Sequence, residues 1–122
     1  MPDTATERAW LPPSSAPPTY GVGVIVLIAT YRGKPGTGDT IEPLLAELAA
    51  ATRDEAGCLL YLVNRSTTAA DTFVLYEHYE GEDALAAHRD TPHFQRLAVG
   101  QVIPMLEERV FDVYRLVEGP ST

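Results

Sequence analysis

The chain contains a single cysteine among its 122 residues, so no disulfide can form within it. This scarcity is typical of proteins in a reducing compartment, and we predict a cytoplasmic location. The cysteine, Cys58, begins an apolar run directly after Gly57. Because free cysteines are among the most buried residues in proteins, we expect a structural thiol here and not a nucleophile.

Positive charge and long apolar runs are also scarce. Nine Lys and Arg residues stand against 17 Asp and Glu residues, which gives a formal net charge of -8 at pH 7. Nucleic acids and anionic membranes bind to basic faces, so we expect neither as a partner. The longest apolar run, residues 22–29, is far shorter than the roughly 20 residues that cross a bilayer. Prolines interrupt the N-terminal region, which therefore lacks the apolar core of a secretion signal.

Several motifs of cofactor and nucleophile sites are missing as well. The glycine-containing loop at residues 33–38 lacks the Lys-Ser/Thr ending of a phosphate-binding loop, and no Gly-x-Ser-x-Gly motif occurs. The three histidines, His78, His88 and His93, fall at none of the short spacings that place two imidazoles on one metal ion. Their spacing therefore predicts that the protein has no metal site.

The length predicts one domain that can bury a core without disulfides. Residues 1–20 hold five of the ten prolines, and we interpret them as a flexible arm. Trp10 is a large apolar residue of this arm, for which a solvated tail is a simpler interpretation than docking on a partner. We expect the folded domain at residues 21–118 and a short tail at residues 119–122.

The apolar pattern predicts a strand, a helix, two strands, a helical region broken at Thr91-Pro92, and a last strand. The predicted strands are residues 22–31, 58–65, 72–79 and 109–117, and the predicted helices are residues 39–57, 82–89 and 91–105. We expect the second and third strands to pair as a hairpin. We expect Asp39 or Thr40 to cap the first helix, which carries one apolar stripe. This order is that of a ferredoxin-like (split βαβ) α+β fold, in which helices cover one face of a four-stranded antiparallel sheet. The first strand is apolar on both faces, so we expect a homodimer packed sheet to sheet.

Residues 73–94 contain every histidine of the chain, and histidine is the side chain that titrates closest to neutral pH. His88 follows Leu85 by three residues and so shares its inward helical face. An imidazole there can act as a general base or can be a hydrogen-bonded core residue. His93 lies at the start of a helix, where a structural role is the simpler interpretation.

Alternation along residues 72–79 places Glu77 and Tyr79 on one face of the sheet and Tyr76 and His78 on the other. A glutamate on a half-buried strand needs a partner, because burying an unpaired charge is costly. An ion pair at the dimer interface is the simplest interpretation of Glu77. Its candidate partners are Arg65, Arg109, Arg115 and His88.

Four short segments resemble the antibiotic biosynthesis monooxygenase family, which includes quinol monooxygenases and the anthrone oxygenases of aromatic polyketide pathways. They are Glu55-Ala-Gly57-Cys58, Tyr76-Glu77-His78-Tyr79-Glu80, Ala87-His88 and Thr91-Pro92-His93-Phe94. The resemblance covers residues 22–117 and implies a ferredoxin-like fold, a dimeric α/β-barrel and oxygenation without metal, haem or flavin. Tyr79 stands where many members have tryptophan. Residues 22–31 lack the asparagine that haem-degrading relatives use.

The resemblance implies a cofactor-independent monooxygenase that uses O2 as co-substrate and oxidises a small aromatic phenol, quinol or anthrone to a quinone. Tyrosines can hydrogen-bond a phenolic ligand while they stack on its rings. Two other functions fit the same residues: a cyclase or isomerase of polyketide biosynthesis, and a non-catalytic dimer that binds a small molecule. The candidate catalytic residues are His88, Glu77 and Tyr79, and the candidate substrate-binding residues are Tyr61, Tyr76, His78, His93 and Phe94.

Overall fold

The computed structural model describes residues 23–119, so the predicted arm with Trp10 and residues 120–122 lie outside the described residues. The order of elements is the predicted one. The elements are β1 (Ile25–Gly33), α1 (Gly38–Thr52), β2 (Cys58–Arg65), β3 (Thr72–Tyr79), α2 (Glu82–Arg89), a π-helix (Phe94–Val102), a 3-10 turn (Ile103–Met105) and β4 (Leu106–Arg115).

The four strands form one antiparallel sheet in the order β2-β3-β1-β4. β2 and β3 pair as the predicted hairpin, and β1 lies between β3 and β4. In this register Leu27 lies opposite Glu77 on one side and Val113 on the other. The helices cover one face of the sheet, so the predicted ferredoxin-like fold is confirmed.

The core lies between the sheet and the helices, because alternate residues of β1 meet the apolar stripes of α1 and the π-helix there. The predicted stripe of α1 is confirmed, since Ile41, Leu45 and Leu48 are fully buried. Truncating one of these leucines to alanine would cost about 2–5 kcal/mol of stability. β1 contributes Ile25, Leu27, Ala29 and Tyr31, and the π-helix contributes Phe94, Leu97, Ala98 and Val102.

The start of α1 is held by a residue that is remote in sequence. Asp39 and Thr40 were the expected caps, but the helix begins at Gly38 and its first turn is bonded by the carboxylate of Asp71. That carboxylate accepts hydrogen bonds from the backbone N–H groups of Gly38 at 2.8 Å and Gly36 at 3.1 Å. A side chain at position 38 would collide with the Ala70 carbonyl, so the close approach of the chain requires glycine here.

The predicted bounds of three elements were wrong. β1 spans Ile25–Gly33 instead of residues 22–31. α1 ends at Thr52 and not at Gly57, because residues 53–57 form tight turns in which the Cys58 N–H group donates to the Glu55 carbonyl at 3.1 Å. β4 spans Leu106–Arg115 instead of residues 109–117, because β1 extends to Gly33 and pairs with Leu106. Val117 is 83% exposed and lies beyond the strand.

The break after α2 follows the prediction. The Thr91 hydroxyl donates to the His88 carbonyl at 2.7 Å and accepts from the Phe94 N–H group at 3.2 Å, as a capping residue does. The helix that follows is wound as a π-helix, a form that is frequent at functional sites. None of the helices in residues 23–119 has the length and apolar character needed to cross a membrane.

Candidate active site

A small cavity lies between the sheet and α2. Its volume is about 20 Å³, which is room for one water molecule. Its floor is buried, and its mouth is formed by longer side chains that include Phe111, whose side chain is 39% exposed. The cavity is lined by Leu27, Ala29, Tyr31, Tyr61, Glu77, Leu85, His88, Arg89, Phe94, Arg109 and Phe111.

His88 is buried in the wall of this cavity and is held by Glu55. The inward face of α2 carries Leu85 and His88, as predicted, and the turn after α1 brings the Glu55 carboxylate against the imidazole. The Nδ1 atom of His88 lies 2.9 Å from Oε2 of Glu55. A carboxylate beside Nδ1 keeps a proton on that nitrogen, so the lone pair of the neutral ring is on Nε2.

The Nε2 atom of His88 is available for chemistry. Among residues 23–119 no hydrogen bond engages it. Burial lowers the pKa of His88, and the hydrogen bond that Nδ1–H donates to the Glu55 carboxylate opposes that change. The imidazole is therefore neutral near pH 7, the form that a general base requires.

His93 joins the same carboxylate. Its Nε2 atom lies 2.5 Å from Oε2 of Glu55, so one carboxylate oxygen contacts both imidazoles. The donor atoms of Glu55, His88 and His93 all lie within 4.8 Å of one another, which is close enough to consider a metal ion. The histidine spacing did not reveal this cluster, because the carboxylate comes from a different part of the chain. In this structure hydrogen bonds join the Glu55 carboxylate to both imidazoles.

Glu77 and Tyr79 form a second buried pair, on the core face of β3 as predicted. The Tyr79 hydroxyl donates to Oε1 of Glu77 at 2.5 Å. Burial raises the pKa of Glu77 to about 7, although the hydrogen bond from Tyr79 lowers it. Burial and the neighbouring Glu77 also raise the pKa of Tyr79, which stays protonated. Glu77 thus titrates near neutrality while it faces the cavity that His88 lines.

This partner of Glu77 differs from the expected one. An ion pair at a dimer interface was the simplest interpretation, but the carboxylate lies on the helix-covered face and is bonded by a phenol. Among the described residues Arg65 pairs with Asp39 and Glu42 instead. Arg109 lines the cavity with Glu77 without forming an ion pair to it.

Comparison with known proteins agrees with this fold. The family model for antibiotic biosynthesis monooxygenases matches residues 24–99, which is more than half of the chain. The chain belongs to the antibiotic biosynthesis monooxygenase family. The match includes β1 to β3, α2 and all of the residues Glu55, Glu77, His88 and His93.

Two bacterial proteins are similar to this chain over most of its length. The Mycobacterium tuberculosis protein Rv0793, whose name assigns it provisionally to the monooxygenases, is 31% identical over 81 residues, or 65% of this chain and 79% of the relative. Its structure has a TM-score of 0.74 with 27% identity, covering 81% of this chain and 100% of that one. The structure of PA3566 from Pseudomonas aeruginosa has a TM-score of 0.72 with 29% identity, covering 85% and 100%.

Six of the eight site residues predicted for this monooxygenase-family chain form one cluster centred on the His88 ring. Tyr61, Tyr79 and Phe94 surround the imidazole, with ring centroids at 5.9, 5.4 and 5.0 Å. The other three of the six are His88 itself, Glu77 and His93.

The remaining two residues are not brought to this site. Tyr76 and His78 lie on the opposite face of the sheet, where their own rings contact each other at 4.9 Å. Alternation along β3 requires this, because Glu77 and Tyr79 face the core. A ligand in the cavity therefore has no direct contact with Tyr76 or His78.

Four residues of the site were assigned no role from the sequence, and a fifth, Arg109, was named only as a candidate partner of Glu77. Glu55 lies 33 residues before His88, and no periodicity connects the two positions. Its place in the motif Glu55-Ala-Gly57-Cys58 was the only available signal. The others lie on β1, on β4 and at the end of α2, and they are Tyr31, Arg109, Phe111 and Arg89.

Proposed function

We propose that the protein is a cofactor-independent monooxygenase that oxidises an electron-rich phenol, quinol or anthrone to a quinone with O2. The observation that carries the proposal is the Glu55–His88 pair, which presents a neutral imidazole with an unbonded Nε2 atom at an apolar cavity. Membership of the antibiotic biosynthesis monooxygenase family supports the same reaction class.

The first step is proton transfer from the substrate to His88. Nε2 accepts a proton from a phenolic hydroxyl or from the methylene group of an anthrone, and the imidazolium that forms is stabilised by the Glu55 carboxylate. General bases of this kind typically accelerate a reaction by about 10²–10⁴-fold. The apolar wall keeps bulk water away from the resulting anion.

The anion then serves as the electron donor to O2. One electron passes to O2, and the substrate radical and superoxide combine into a peroxide anion, which takes the proton from the His88 imidazolium. Loss of the second methylene proton and of hydroxide gives the carbonyl group, so that CH2 and O2 become C=O and H2O. The substrate supplies all the electrons, and the protein's residues only move protons and hold the anion.

A planar substrate requires the mouth of the cavity to open, because about 20 Å³ holds a single water. The buried floor, with Tyr61 and His88 each 2% exposed, is fixed by packing. The exposed side chains of Phe111 and Arg109 can adopt other rotamers without disturbing the core. Substrate binding in this proposal displaces them.

The active form is a homodimer that packs sheet to sheet. Support comes from the open face of the sheet, where several apolar side chains are exposed in adjacent strands. Exposed apolar area of this kind typically marks an interface. The side chains are Leu62 at 43%, Val74 at 36%, Val110 at 49% and Tyr114 at 48%.

Oxygen consumption tests the proposal. Chelator-treated protein is mixed with 1,8-dihydroxyanthrone or a naphthohydroquinone, and uptake of O2 is compared with the spontaneous rate. We expect catalysed uptake in the wild type and a loss of about 10²-fold or more in His88→Ala. A matched control is His78→Ala, which removes a histidine from the opposite face of the sheet. Uptake at the spontaneous rate with all these substrates would contradict the proposal.

A second function is favoured by one observation: Glu77, with a pKa of about 7, and His88 line the same cavity. Two groups that exchange protons near neutrality also suit an isomerase or cyclase that acts on a polyketide. Such an enzyme needs no O2. Conversion of a keto substrate at an equal rate under strict anaerobiosis would select this function over the oxygenase.

A further inference from the structure

The mouth of the cavity carries two arginines that rest on one aromatic ring. The guanidinium carbon of Arg89 lies 5.3 Å from the centroid of Phe111, and that of Arg109 lies 5.0 Å from it. Arg109 also lies 5.7 Å from the ring centroid of Tyr31, and its Nε donates a long hydrogen bond of 3.5 Å to the Tyr31 hydroxyl. All four residues line the cavity.

Neither arginine is neutralised within the described part of the chain. The arginine–carboxylate pairs of residues 23–119 involve Arg32, Arg65 and Arg96, not Arg89 or Arg109. This is notable in a chain with 17 acidic residues and a net charge of -8. Acidic residues are abundant, yet within residues 23–119 neither Arg89 nor Arg109 forms an ion pair with one.

Among the described residues, the guanidinium N–H groups of Arg89 and the terminal N–H groups of Arg109 donate no hydrogen bond, and Arg109 uses only its Nε. A guanidinium that rests over a ring still presents its N–H groups at its edge, and these match the two oxygens of a carboxylate. The positive charges also act on the cavity interior, because both arginines oppose the burial that raises the pKa of Glu77. Exposed cation–π contacts are worth only about 0.5–1 kcal/mol each, so an anion can displace them.

We infer that Arg89 and Arg109, which rest on Phe111 in this structure, form a subsite for a carboxylate group carried by the aromatic substrate. This inference rests on the proposed function, which identifies the aromatic ring as the part of the substrate that is oxidised. It adds that the substrate is an aromatic carboxylate. The aromatic rings of the substrate enter beside Tyr61 and His88. The substrate carboxylate stays at the mouth of the cavity, where it replaces Phe111 as the partner of the two guanidinium groups.

Binding of a matched pair of ligands tests this subsite apart from catalysis. The probes are a dihydroxyanthraquinone carboxylic acid and its methyl ester, which share the rings and differ in one charge. Calorimetric titration of the wild type is expected to give about ten- to a hundredfold tighter binding of the acid. Added salt should weaken binding of the acid and leave that of the ester unchanged. Equal affinities for acid and ester would overturn the inference.

Variants assign the preference to the two arginines. Arg89→Gln and Arg109→Gln should each reduce the acid-to-ester ratio by about tenfold, and unchanged ester affinity shows that the protein remains folded. The matched control is Arg115→Gln, which removes the same charge from an exposed position of β4 that does not line the cavity. An equal reduction in Arg115→Gln, or no reduction in the other two variants, would overturn the assignment.

Oxygen uptake separates this inference from the proposed function. If anthrones are oxidised but acid and ester bind equally, the oxygenase stands and the carboxylate subsite fails. If neither the anthrone acid nor its ester is oxidised but the acid binds more tightly through Arg89 and Arg109, the subsite stands and the oxygenase fails.

Discussion

Glu55 and His88 are 33 residues apart in sequence, yet Oε2 of Glu55 lies 2.9 Å from Nδ1 of His88. The contact exists because α1 ends at Thr52 and the turn that follows directs residue 55 toward α2. It fixes both the orientation and the tautomer of the imidazole, which is what makes its other nitrogen a base.

The first prediction concerns this contact. Glu55→Gln keeps the shape of the side chain but removes the charge that stabilises the imidazolium. We expect a loss of about ten- to a hundredfold in kcat/KM and a fall in the apparent pKa of the catalytic base, because the hydrogen bond that His88 donates to the Glu55 carboxylate raises the pKa of His88. The pH profile of kcat/KM for oxygen uptake measures both changes.

Glu47→Gln is the control for this experiment, since Glu47 is exposed and pairs with Arg96 on the surface. It should leave the profile unchanged. Wild-type activity with an unshifted profile in Glu55→Gln would mean that the contact serves packing only.

The second prediction concerns stability and Glu77. Its pKa is about 7 in the folded protein and about 4.5 without burial, so the folded state holds this proton more tightly. The contribution of Glu77 to the free energy of unfolding is therefore at its full value below pH 4.5. It is lost as the pH rises to about 7. The loss amounts to about 3 kcal/mol at 1.36 kcal/mol for each pKa unit.

Glu77→Gln tests this linkage, because the amide carbonyl can still accept the hydrogen bond from Tyr79 but cannot ionise. We expect the variant to be more stable than the wild type at pH 8 and to show little advantage at pH 4.5. Urea unfolding at the two pH values measures the difference. A constant difference between the proteins at both pH values would show that Glu77 does not titrate in the folded state.

Local patterns in the sequence predicted the fold more completely than the site. The boundaries of β2, β3 and α2 follow from alternation and from turn residues that lie within each segment. The roles of Glu55 and Asp71 depend on contacts across the fold, and no local spacing reveals those. The predicted end of α1 was wrong for a related reason. Residues 53–57 form turns, and Gly57 ends these turns and not the helix.

Sequence reasoning about the site succeeded where side-chain direction is fixed by secondary structure. The inward positions of Glu77, Tyr79 and His88 followed from strand and helix periodicity. Arg89 and Phe111 were missed because they meet only when β4 closes the sheet beside α2. The outward positions of Tyr76 and His78 were already implied by alternation, which should have kept them out of a pocket on the other face.

The third prediction concerns metal removal. Glu55, His88 and His93 satisfy one another by hydrogen bonds, so we expect dialysis against a chelator to leave kcat/KM for anthrone or quinol oxidation unchanged. Metal analysis of the same sample supplies the control for complete removal. Loss of activity that a divalent ion restores would instead make these three residues a metal centre, because their donor atoms lie within 4.8 Å of one another.

The fourth prediction concerns the open face of the sheet. Val110 of β4 is 49% exposed on this face. It pairs with Thr30 of β1, and Thr30 pairs on its other side with Val74 of β3. If two sheets pack face to face, Val110→Asp places a charge in an apolar interface, where an unpaired carboxylate is costly. We expect sedimentation to show a dimer for the wild type and a shift to monomer in this variant at the same concentration.

Val99→Asp is the matched control, because Val99 is 43% exposed but lies on the π-helix, away from the open face. It should sediment as the wild type does. A monomeric wild type, or a Val110→Asp protein that remains dimeric, would rule out this face as the interface. Since the cavity lies on the helix-covered side, oxygen uptake by a monomeric Val110→Asp protein would then show whether pairing of the sheets is needed for the chemistry or only for stability.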